Sequence, residues 1–324
     1  MKTEISTDRD AAVELLRNGE VVALPTETVY GLAADALKSP AVVKIFEAKE
    51  RPRFDPLIVH LPNRDWLDKI VDLPAQDRQS ILELADAFWP GPFTMVLPKR
   101  EIIPDIVTAG LDTVAVRISA HPVFSQIIRE FDSPLAAPSA NRFGNISPTT
   151  AQHVFDELSE RIPLIIDGGA TEHGIESTIV AVRDGKIDIL RRGPITDEQL
   201  SIFGKVEVAT PKEISAPGQL PSHYAPQKPL QLVDNAATFS GERAGLLAWN
   251  AVESPKFVAI RRLSERQDLR EAAANLFRYL RELDANEDVD LIVAERVPDQ
   301  GLGAAIMDRL RRAAHRSDAP DMPR

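Results

Sequence analysis

A proline-rich segment is the feature that most restricts how this chain can fold. Residues 209–229 read ATPKEISAPGQLPSHYAPQKP and contain five prolines with almost no apolar periodicity. Proline is excluded from helix interiors and from central strands, so neither element can run through this stretch. Such a composition is typical of a linker between domains. The sequence therefore predicts a domain at 1–205, a linker at 206–229 and a second domain at 230–324.

Helical and strand-like patterns are mixed before the linker. Apolar residues recur at helical spacing in 8–18, whereas 21–24, 57–61 and 113–119 are short apolar or alternating runs typical of strands. The dipeptide at 184–185 is Asp-Gly between two alternating runs, which predicts a hairpin turn. This mixture predicts one α/β or α+β domain.

Strand-like and helical segments alternate more regularly after the linker. AGLLAWN and KFVAIRRL are strand-like, DLREAAANLFRYLREL is helical, and DLIVAERV is followed by the helical GAAIMDRLRRAA. Such an alternation predicts a small parallel sheet.

The composition excludes several classes of function. The 324 residues include no cysteine, which rules out disulfides, thiolate catalysis and cysteine-ligated zinc. No apolar run approaches the roughly 20 residues of a membrane-spanning helix, and the start, MKTEISTDRD, lacks the pattern of a signal peptide. We therefore expect a cytosolic protein without membrane attachment. The net charge of −11 disfavours a large, sequence-independent nucleic-acid surface but allows a local basic pocket.

The segment ALPTETVYGLAADA (23–36) breaks off a strand-like run and presents a group of polar side chains. Thr26, Glu27, Thr28 and Tyr30 follow the proline that ends the run. Two interpretations remain open. Threonine and glutamate at this spacing begin many helices, and the same groups could line one wall of a binding site. Taken alone, the segment favours the helix cap; with the family resemblance given below, the hydroxyl groups are interpreted as the wall of a substrate site with a capped helix behind it.

Positive charge is concentrated around EAKERPRFDPLIVH (47–60). The cations of this stretch and just before it are Lys44, Lys49, Arg51 and Arg53. They could form a solvated helix end, where cations are favourable. However, two prolines place them in a loop beside a strand, and in an acidic protein this favours anion binding. His60, inside the strand, is by itself more typical of a buried core histidine.

Two further loops are rich in hydroxyl groups and glycine. APSANRFGNISP (137–148) and IDGGATEHGIESTIV (166–180) adjoin strand-like runs, and LRRGP supplies Arg191 and Arg192 at a strand end. Ordinary turns and hairpins explain each of them separately. Together with the basic stretch, they indicate a site for phosphate and a small polar substrate. No GxxxxGK[ST], HExxH or GxSxG motif is present, and GLGAAI (301–306) is only a fragment of a dinucleotide fingerprint.

Eight motifs occur in an order that resembles a known family. They are LPTETVYGL, AKERPRFDPLIVH, WPGPFT, VAVRIS, APSAN, DGG…GIESTIV, LRRGP and PSHYAP. Over about residues 8–226 the chain resembles the YrdC/YciO-like threonylcarbamoyl-adenylate synthases, in their long two-domain form. The resemblance implies a YrdC-like catalytic domain with a twisted, open mixed sheet and a concave basic cavity. It also implies a small Rossmann-like C-terminal α/β domain and a linker that acts as a lid.

The activity that this resemblance implies is a nucleotidyl transfer. Members of the family form threonylcarbamoyl-AMP and pyrophosphate from L-threonine, bicarbonate and ATP, with Mg²⁺ accompanying ATP and no dedicated metal ligands. A downstream tRNA-modifying threonylcarbamoyl transferase complex uses the product on an adenosine beside the anticodon. Any contact of this chain with tRNA would be indirect.

The resemblance also implies roles for individual residues. Those implied to hold threonine are Thr28, His60, Arg117, Ala137 and Ser177. Those implied to contact the nucleotide are Arg51, Asp55, Thr113, Ser139, Ser147, Arg191 and Tyr224. Lys49 and Arg51 are the implied catalytic groups, with Lys49 close to the phosphates or to carbonate. Asp55 departs from the family, which often has asparagine there; a carboxylate repels phosphate unless it faces a ribose hydroxyl, an amine or a metal.

Two other functions remain open from the residues. The same fold is linked to double-stranded RNA binding, although the net charge of −11 disfavours that as the main role. A related hydrolase or carbamoyl-transferring enzyme could use the same cavity on another acyl-adenylate. Pyrophosphate release with and without threonine distinguishes these possibilities.

Overall fold

The computed structural model describes residues 2–209, 216–217, 224–250 and 256–315. The chain divides into two compact units, one of Met1–Phe143 with Ser147–Gln219 and one of Gly144–Ile146 with Leu220–Arg324. Most of the predicted lid, 210–215 and 218–223, lies outside the described residues. The domain bounds given above remain predictions.

The first unit is built on one mixed sheet. Its strands are β1 (Glu4–Ser6), β2 (Val22–Leu24), β3 (Gly31–Asp35), β4 (Ile58–His60), β5 (Phe93–Pro98), β6 (Thr113–Arg117), β7 (Leu135–Ala136), β8 (Leu164–Ile166), β9 (Thr178–Arg183), β10 (Lys186–Arg191) and β11 (Lys205–Val208). Their order is β1-β8-β2-β3-β7-β4-β6-β5-β9-β10-β11. The sheet combines parallel pairs, such as β4 with β6, and antiparallel pairs, such as β5 with β6. The predicted mixed α/β class is confirmed.

Eight α-helices accompany this sheet in the described part of the unit. They are α1 (Arg9–Arg17), α2 (Ser39–Lys49), α3 (Leu67–Ile70), α4 (Arg78–Phe88), α5 (Asp105–Thr108), α6 (Pro122–Phe131), α7 (Ala151–Leu158) and α8 (Asp197–Leu200), with a 3-10 turn at Arg64–Trp66. Side chains on a strand alternate between the two faces of the sheet. One face packs on the core that includes Ile45 of α2 and Leu84 of α4. The other packs on α1 and α6 through Leu16 and Phe124.

A separate apolar patch lies on the α1/α6 side of the sheet. Its sheet residues are Ile58, Val96, Ala115, Ile179 and Ala181. Ala216, in the linker, packs on this patch and is fully buried. At residue 216 the linker therefore lies against this face of the sheet in the first unit.

The second unit has a four-stranded parallel sheet. Its strands are β12 (Leu230–Val233), β13 (Ala244–Ala248), β14 (Phe257–Arg262) and β15 (Leu291–Glu295), in the order β12-β15-β13-β14. Its helices are α9 (Leu269–Ala285) and α10 (Leu302–Ala314), with a 3-10 turn at Ala236–Thr238. The parallel sheet was predicted and every pairing is parallel, although β12 was missed. Across the described ranges, no helix has the length and apolar character needed to span a membrane.

Asp77 joins the start of α4 to the turn between β9 and β10. Its carboxylate is buried and accepts hydrogen bonds from the N–H groups of Asp184 and Gly185, at 3.3 and 2.9 Å. Asp77→Asn replaces one acceptor oxygen with a donor, so we expect the free energy of unfolding to fall by about 1–2 kcal/mol. Urea unfolding followed by tryptophan fluorescence measures this, and an unchanged midpoint would contradict it.

Candidate active site

The TETVY segment forms a turn between two paired strands, not the start of a helix. Thr26 Oγ1 accepts hydrogen bonds from the N–H groups of Thr28 and Val29 at 3.1 and 3.2 Å, as a helix cap does. The chain then enters β3, which pairs antiparallel with β2. The predicted helix cap is therefore wrong. Backbone hydrogen bonds from Tyr30 to Pro148 and from Leu32 to Pro138 draw the segment into the sheet instead.

The hydroxyl groups of this turn are held by neighbouring groups. Thr26 donates to the carbonyl of Val29 at 2.6 Å. The two threonine hydroxyls also contact each other at 2.8 Å, and either of them can be the donor. Arg117 Nη1 donates to the oxygen of Thr28 at 3.1 Å. The hydroxyl of Thr28 is therefore held between Thr26 and Arg117.

Arg117, at the end of β6, is held in a buried ion pair. Its Nη2 donates to Glu27 Oε1 at 2.5 Å, and its Nε donates to the carbonyl of Gly91 at 3.2 Å. Ser119 Oγ donates to the other oxygen of Glu27 at 2.5 Å. Burial raises the pKa of Glu27, but the charge of Arg117 and these hydrogen bonds outweigh it and lower the pKa to about 2. Glu27 is therefore ionised at neutral pH.

His60 lies beside Arg117, because β4 and β6 are parallel and pair these two residues in register. Its ring packs against Phe124 with 4.6 Å between centroids. Burial, reinforced by the positive charge of Arg117 and opposed by Glu27, lowers the pKa of His60 to about 3. His60 is therefore neutral, and within the described residues its buried Nδ1 has no hydrogen-bond partner.

The predicted basic stretch (Lys44, Lys49, Arg51 and Arg53) is only partly a buried cluster: Lys49 and Arg51 are buried, whereas Arg53 is exposed and Lys44 pairs with Glu20 at 2.8 Å. Arg51 Nη2 lies 2.8 Å from Asp55 Oδ2, and the same guanidinium donates to the carbonyls of Asp55 and Pro56 at 3.3 and 2.9 Å. Burial raises the pKa of Asp55, opposed by the charges of Arg51, Lys49 and Arg191. Asp55 thus faces guanidinium and ammonium groups, so a carboxylate is compatible with this cationic cluster.

Lys49 is buried at the end of α2 and holds the APSAN loop. Its Nζ donates to the carbonyl of Ser139 at 2.5 Å and to that of Asn141. Burial, followed by repulsion from Arg51, lowers the pKa of Lys49 well below its usual value. The APSAN loop also pairs with the first residue of β3, directly after the TETVY turn, through a β-bridge between Gly31 and Ser139. The basic loop, the APSAN loop and the TETVY turn therefore adjoin one another.

A second guanidinium, that of Arg191 on β10, reaches the start of β9 and the linker. Its Nε and Nη2 donate to the carbonyl of Ser177 at 3.1 and 3.0 Å, and Nη2 also donates to the hydroxyl of Ser177 at 3.1 Å. Its Nη1 donates to the carbonyl of Pro217 at 3.4 Å. Thr94 contacts the Ser177 hydroxyl at 2.8 Å. Gly193 follows, and a Cβ there would lie 2.4 Å from the Thr178 nitrogen, so the close approach requires glycine.

The glycine-rich loop is tied to the TETVY turn. Tyr30 is fully buried, donates its hydroxyl proton to the carbonyl of Gly169 at 2.8 Å and accepts from the N–H of Gly168 at 3.1 Å. Burial raises the pKa of Tyr30 to about 12. At the other end of the loop, Ser147 donates to Glu176. Among the described residues, no group of three or more His, Asp or Glu side chains could hold a metal ion.

Comparison with known proteins places this geometry in a family. Residues 14–193 match the family model described as "Telomere recombination", and residues 195–315 match the model described as "Threonylcarbamoyl-AMP synthase, C-terminal domain". The chain belongs to the threonylcarbamoyl-AMP synthase family. The predicted resemblance, including the long two-domain form, is confirmed.

Threonylcarbamoyl-AMP synthases of known sequence match nearly the whole chain. The one from Bacillus subtilis (strain 168) is 42% identical over 94% of this chain and 92% of the relative. The one from Pyrococcus abyssi (strain GE5 / Orsay) is 38% identical over 94% and 93%. The crystal structure of P. abyssi Sua5 complexed with L-threonine has a TM-score of 0.87 and 35% identity, covering 97% of this chain and 98% of that one.

Most of the residues that the family resemblance implies for the site lie in one region of the first unit. The residues linked by the contacts above or by adjacent strands are Thr28, Lys49, Arg51, Asp55, His60, Arg117, Ser139, Ser177 and Arg191. Ala137 lies beside β4, the strand of His60, because its N–H donates to the carbonyl of Ile58 at 2.9 Å. Ser147 donates to Glu176, the residue before Ser177.

Two residues implied to contact the nucleotide are Thr113, on β6, and Tyr224, in the second unit. Thr113 begins β6, on the same face as Arg117 but four residues away, which is about 13 Å along a strand. Tyr224 belongs to the second unit, where its ring stacks on Phe277 at 5.5 Å and Arg309 lies 5.1 Å from its centroid. The nucleotide roles of both residues remain predictions.

Glu27, Ser119 and Thr94 are functional candidates that the sequence did not assign. Glu27 lies inside the TETVY motif, and Ser119 follows Arg117 by two positions in VAVRIS. Residues at i and i+2 of a strand share a face, and this spacing is the only sequence signal that connects Ser119 to the site.

Proposed function

We propose that this chain catalyses the formation of threonylcarbamoyl-AMP and pyrophosphate from L-threonine, bicarbonate and ATP. The proposal rests on one observation above others, the match over nearly the full length to threonylcarbamoyl-AMP synthases at 42% and 38% identity. P. abyssi Sua5, which has the same two-domain fold at a TM-score of 0.87, has been crystallised in complex with L-threonine. The arrangement of cations and hydroxyl groups in the first unit is compatible with this chemistry.

The amino acid is proposed to bind at Arg117, Thr28 and His60. Three of the five N–H groups of Arg117 contact Gly91, Thr28 and Glu27. Among the described residues, one N–H on each terminal nitrogen remains, and this pair suits a carboxylate. The Thr28 hydroxyl can form a hydrogen bond with an amine or a hydroxyl group. Neutral His60 adds no charge that would repel the substrate amine. A pocket that pairs the threonine hydroxyl rejects analogues that lack it.

The nucleotide is proposed to bind at the second cluster of cations. Arg51 forms an ion pair with the buried Asp55 carboxylate at 2.8 Å, and the positive charges of Lys49 and Arg191 also act on the pKa of Asp55. Guanidinium groups match phosphate oxygens in pairs and stabilise the negative charge that spreads in phosphoryl and nucleotidyl transfer. The predicted catalytic roles of Lys49 and Arg51 belong to this proposal.

The reaction then needs positioning more than a protein nucleophile. The neutral amine of threonine attacks the carbon of bicarbonate, water leaves, and a carbamate forms. A carbamate oxygen attacks the α-phosphorus of ATP, and pyrophosphate departs with the electrons of the broken P–O bond. Holding three reactants in line accounts for much of such a rate enhancement. The linker residues Ala216 and Pro217, over the same face of the sheet, support the predicted lid, which would exclude water.

Mg²⁺ and the acceptor of the product are further parts of the proposal. Mg²⁺ usually keeps several waters and binds through substrate phosphates, and this fits a described site without a carboxylate cluster. It would neutralise phosphate charge when bound. A tRNA-modifying threonylcarbamoyl transferase is the proposed recipient of the product.

Pyrophosphate release tests the activity directly. We expect release when threonine, bicarbonate and ATP are all supplied, and release at background level when any one is omitted. Serine, which lacks the methyl group, should be a poorer substrate by about 10-fold or more. Release without threonine would indicate a hydrolase instead, and equal activity with serine would contradict threonine specificity.

A further inference from the structure

Glu27 is a buried carboxylate placed between the TETVY turn and the end of β6. Both of its oxygens are engaged, one by Arg117 Nη2 and the other by Ser119 Oγ, each at 2.5 Å. We propose that Glu27 is a positioning residue that aims the Arg117 guanidinium at the carboxylate of the amino-acid substrate. This inference rests on the proposed function and adds a residue to it.

The stability of the fold does not explain this ion pair. Glu27 and Arg117 have side chains 5% and 4% exposed, so both charges have lost most of their hydration. Replacing such a pair by apolar residues is often neutral or stabilising, because desolvation offsets the attraction between the charges. An apolar pair could therefore join the turn to β6 equally well. Among the described residues, this ion pair leaves two N–H groups of Arg117 available to bind a ligand, and an apolar pair could not do so.

The contacts of Arg117 fix the plane of its guanidinium. Its Nε is held by the carbonyl of Gly91, its Nη1 by Thr28 and its Nη2 by Glu27. With one anchor on each nitrogen, neither rotation about the last side-chain bond nor tilt of the plane is free. Glu27 is the only ionised anchor of the three, and hydrogen bonds between charged groups are about twice as strong as neutral ones. Loss of its charge therefore releases Nη2 first.

Glu27 is itself held from several directions. Ser119 Oγ, which donates to it, accepts from the N–H of His121 at 3.2 Å. The backbone carbonyl of Glu27 accepts from the N–H of His173 at 2.9 Å. The segment after β6 thus contacts the carboxylate of Glu27 and the glycine-rich loop contacts its backbone, so both hold this residue of the TETVY turn. Rigid support of this kind distinguishes a positioning group from a surface ion pair.

The variant Glu27→Gln tests the proposal, because it keeps the shape and removes the charge. If Glu27 positions Arg117, the KM for threonine should rise at least about 10-fold, whereas the KM for ATP stays within about twofold. If Glu27 instead competes with the substrate carboxylate for Arg117, the KM for threonine should fall. A lower or unchanged KM for threonine overturns the proposal.

Selectivity for the carboxylate gives a second readout that a purely structural role would not change. In calorimetry, the wild-type chain should bind L-threonine at least about 10-fold more tightly than L-threoninamide, which lacks the carboxylate. Glu27→Gln should reduce that ratio to about 2 or less, and Glu27→Asp should recover part of it. A ratio unchanged in Glu27→Gln overturns the proposal.

Two further variants separate positioning from folding. Asp77→Asn removes a buried carboxylate contact outside the site and should leave the KM for threonine unchanged. Ser119→Ala releases one oxygen of Glu27 without touching Arg117, and should raise the KM for threonine about threefold; it serves if Glu27→Gln does not fold. A wild-type chain that releases no pyrophosphate and binds no threonine would refute the proposed function. A fully active wild type with normal Glu27→Gln kinetics would refute only the role of Glu27.

Discussion

Arg51→Ala is expected to lower kcat/KM for ATP by at least about 1000-fold. Arg51 is buried at the centre of the basic cluster, with Nη2 2.8 Å from Asp55 Oδ2 and 2.9 Å from the carbonyl of Pro56. Its removal takes away positive charge where the proposed reaction gathers negative charge. It also leaves the Asp55 carboxylate buried without its ion-pair partner, so that a negative charge faces the incoming phosphates. Both effects act in the same direction. Pyrophosphate release at varied ATP concentration measures the loss.

Two matched variants show which effect dominates. Arg51→Lys keeps the charge but loses the planar fork, so we expect it to recover less than about a tenth of the activity. The double variant Arg51→Ala with Asp55→Asn removes the orphaned carboxylate, and it should restore stability without restoring kcat. If Arg51→Ala keeps activity within tenfold of the wild type, Arg51 does not act on the nucleotide.

The sequence predicted the strands and turns whose structure depends mainly on neighbouring residues. The alternation in 113–119 became β6, and the Asp-Gly turn at 184–185 joins β9 to β10 with φ values of 51° and 71°. These features depend on the pleat of a strand and on the backbone preference of glycine, which neighbouring residues determine. The parallel sheet of the second unit followed from regular alternation for the same reason.

Within ALPTETVYGLAADA (23–36), the expected capped helix is wrong because local and distant interactions favour different structures. Thr26 captures two N–H groups in the way that a helix cap does, and nothing nearby in the sequence contradicts a helix. The outcome depends on Pro138 and Pro148, more than a hundred residues away, whose carbonyls accept from Leu32 and Tyr30. Tertiary pairing of this kind outweighs local propensity and leaves no trace in the segment itself.

The chemical character of the site could be predicted from the sequence, but its pairings could not. Concentrated cations in an acidic chain indicated anion binding, and Lys49 and Arg51 of that stretch are buried, with Arg51 paired to Asp55. The resemblance implied a nucleotide contact for Asp55 but left open what its carboxylate faces, and Glu27 received no individual role. The structure shows each of them paired with a guanidinium, Asp55 with Arg51 and Glu27 with Arg117. Spacing along the chain does not reveal a contact between residues 90 positions apart.

Arg191→Ala is expected to reduce kcat by at least about 100-fold and to raise the KM for both threonine and ATP. The side chain is buried, and its guanidinium joins three parts of the proposed site. It donates twice to the carbonyl of Ser177, once to the hydroxyl of Ser177 and once to the carbonyl of Pro217 in the linker. The alanine variant therefore loses the contact to the Ser177 hydroxyl, the contact to the linker at Pro217 and a positive charge that acts on Asp55. Steady-state kinetics with each substrate varied in turn measures these effects.

Variants that remove only part of these contacts identify which loss has the largest effect on the kinetics. Ser177→Ala removes only the hydroxyl, so it should raise the KM for threonine while leaving the KM for ATP within about twofold. Arg191→Lys keeps the charge near Asp55 but cannot reach Ser177 and Pro217 together, so its kcat should remain at least about 10-fold below the wild type. Full activity in Arg191→Lys would show that charge alone suffices and that the linker contact at Pro217 is dispensable. The unfolding midpoint of Asp77→Asn serves as the reference for a loss of stability. Activity of Arg191→Ala within tenfold of the wild type would remove Arg191 from the active site.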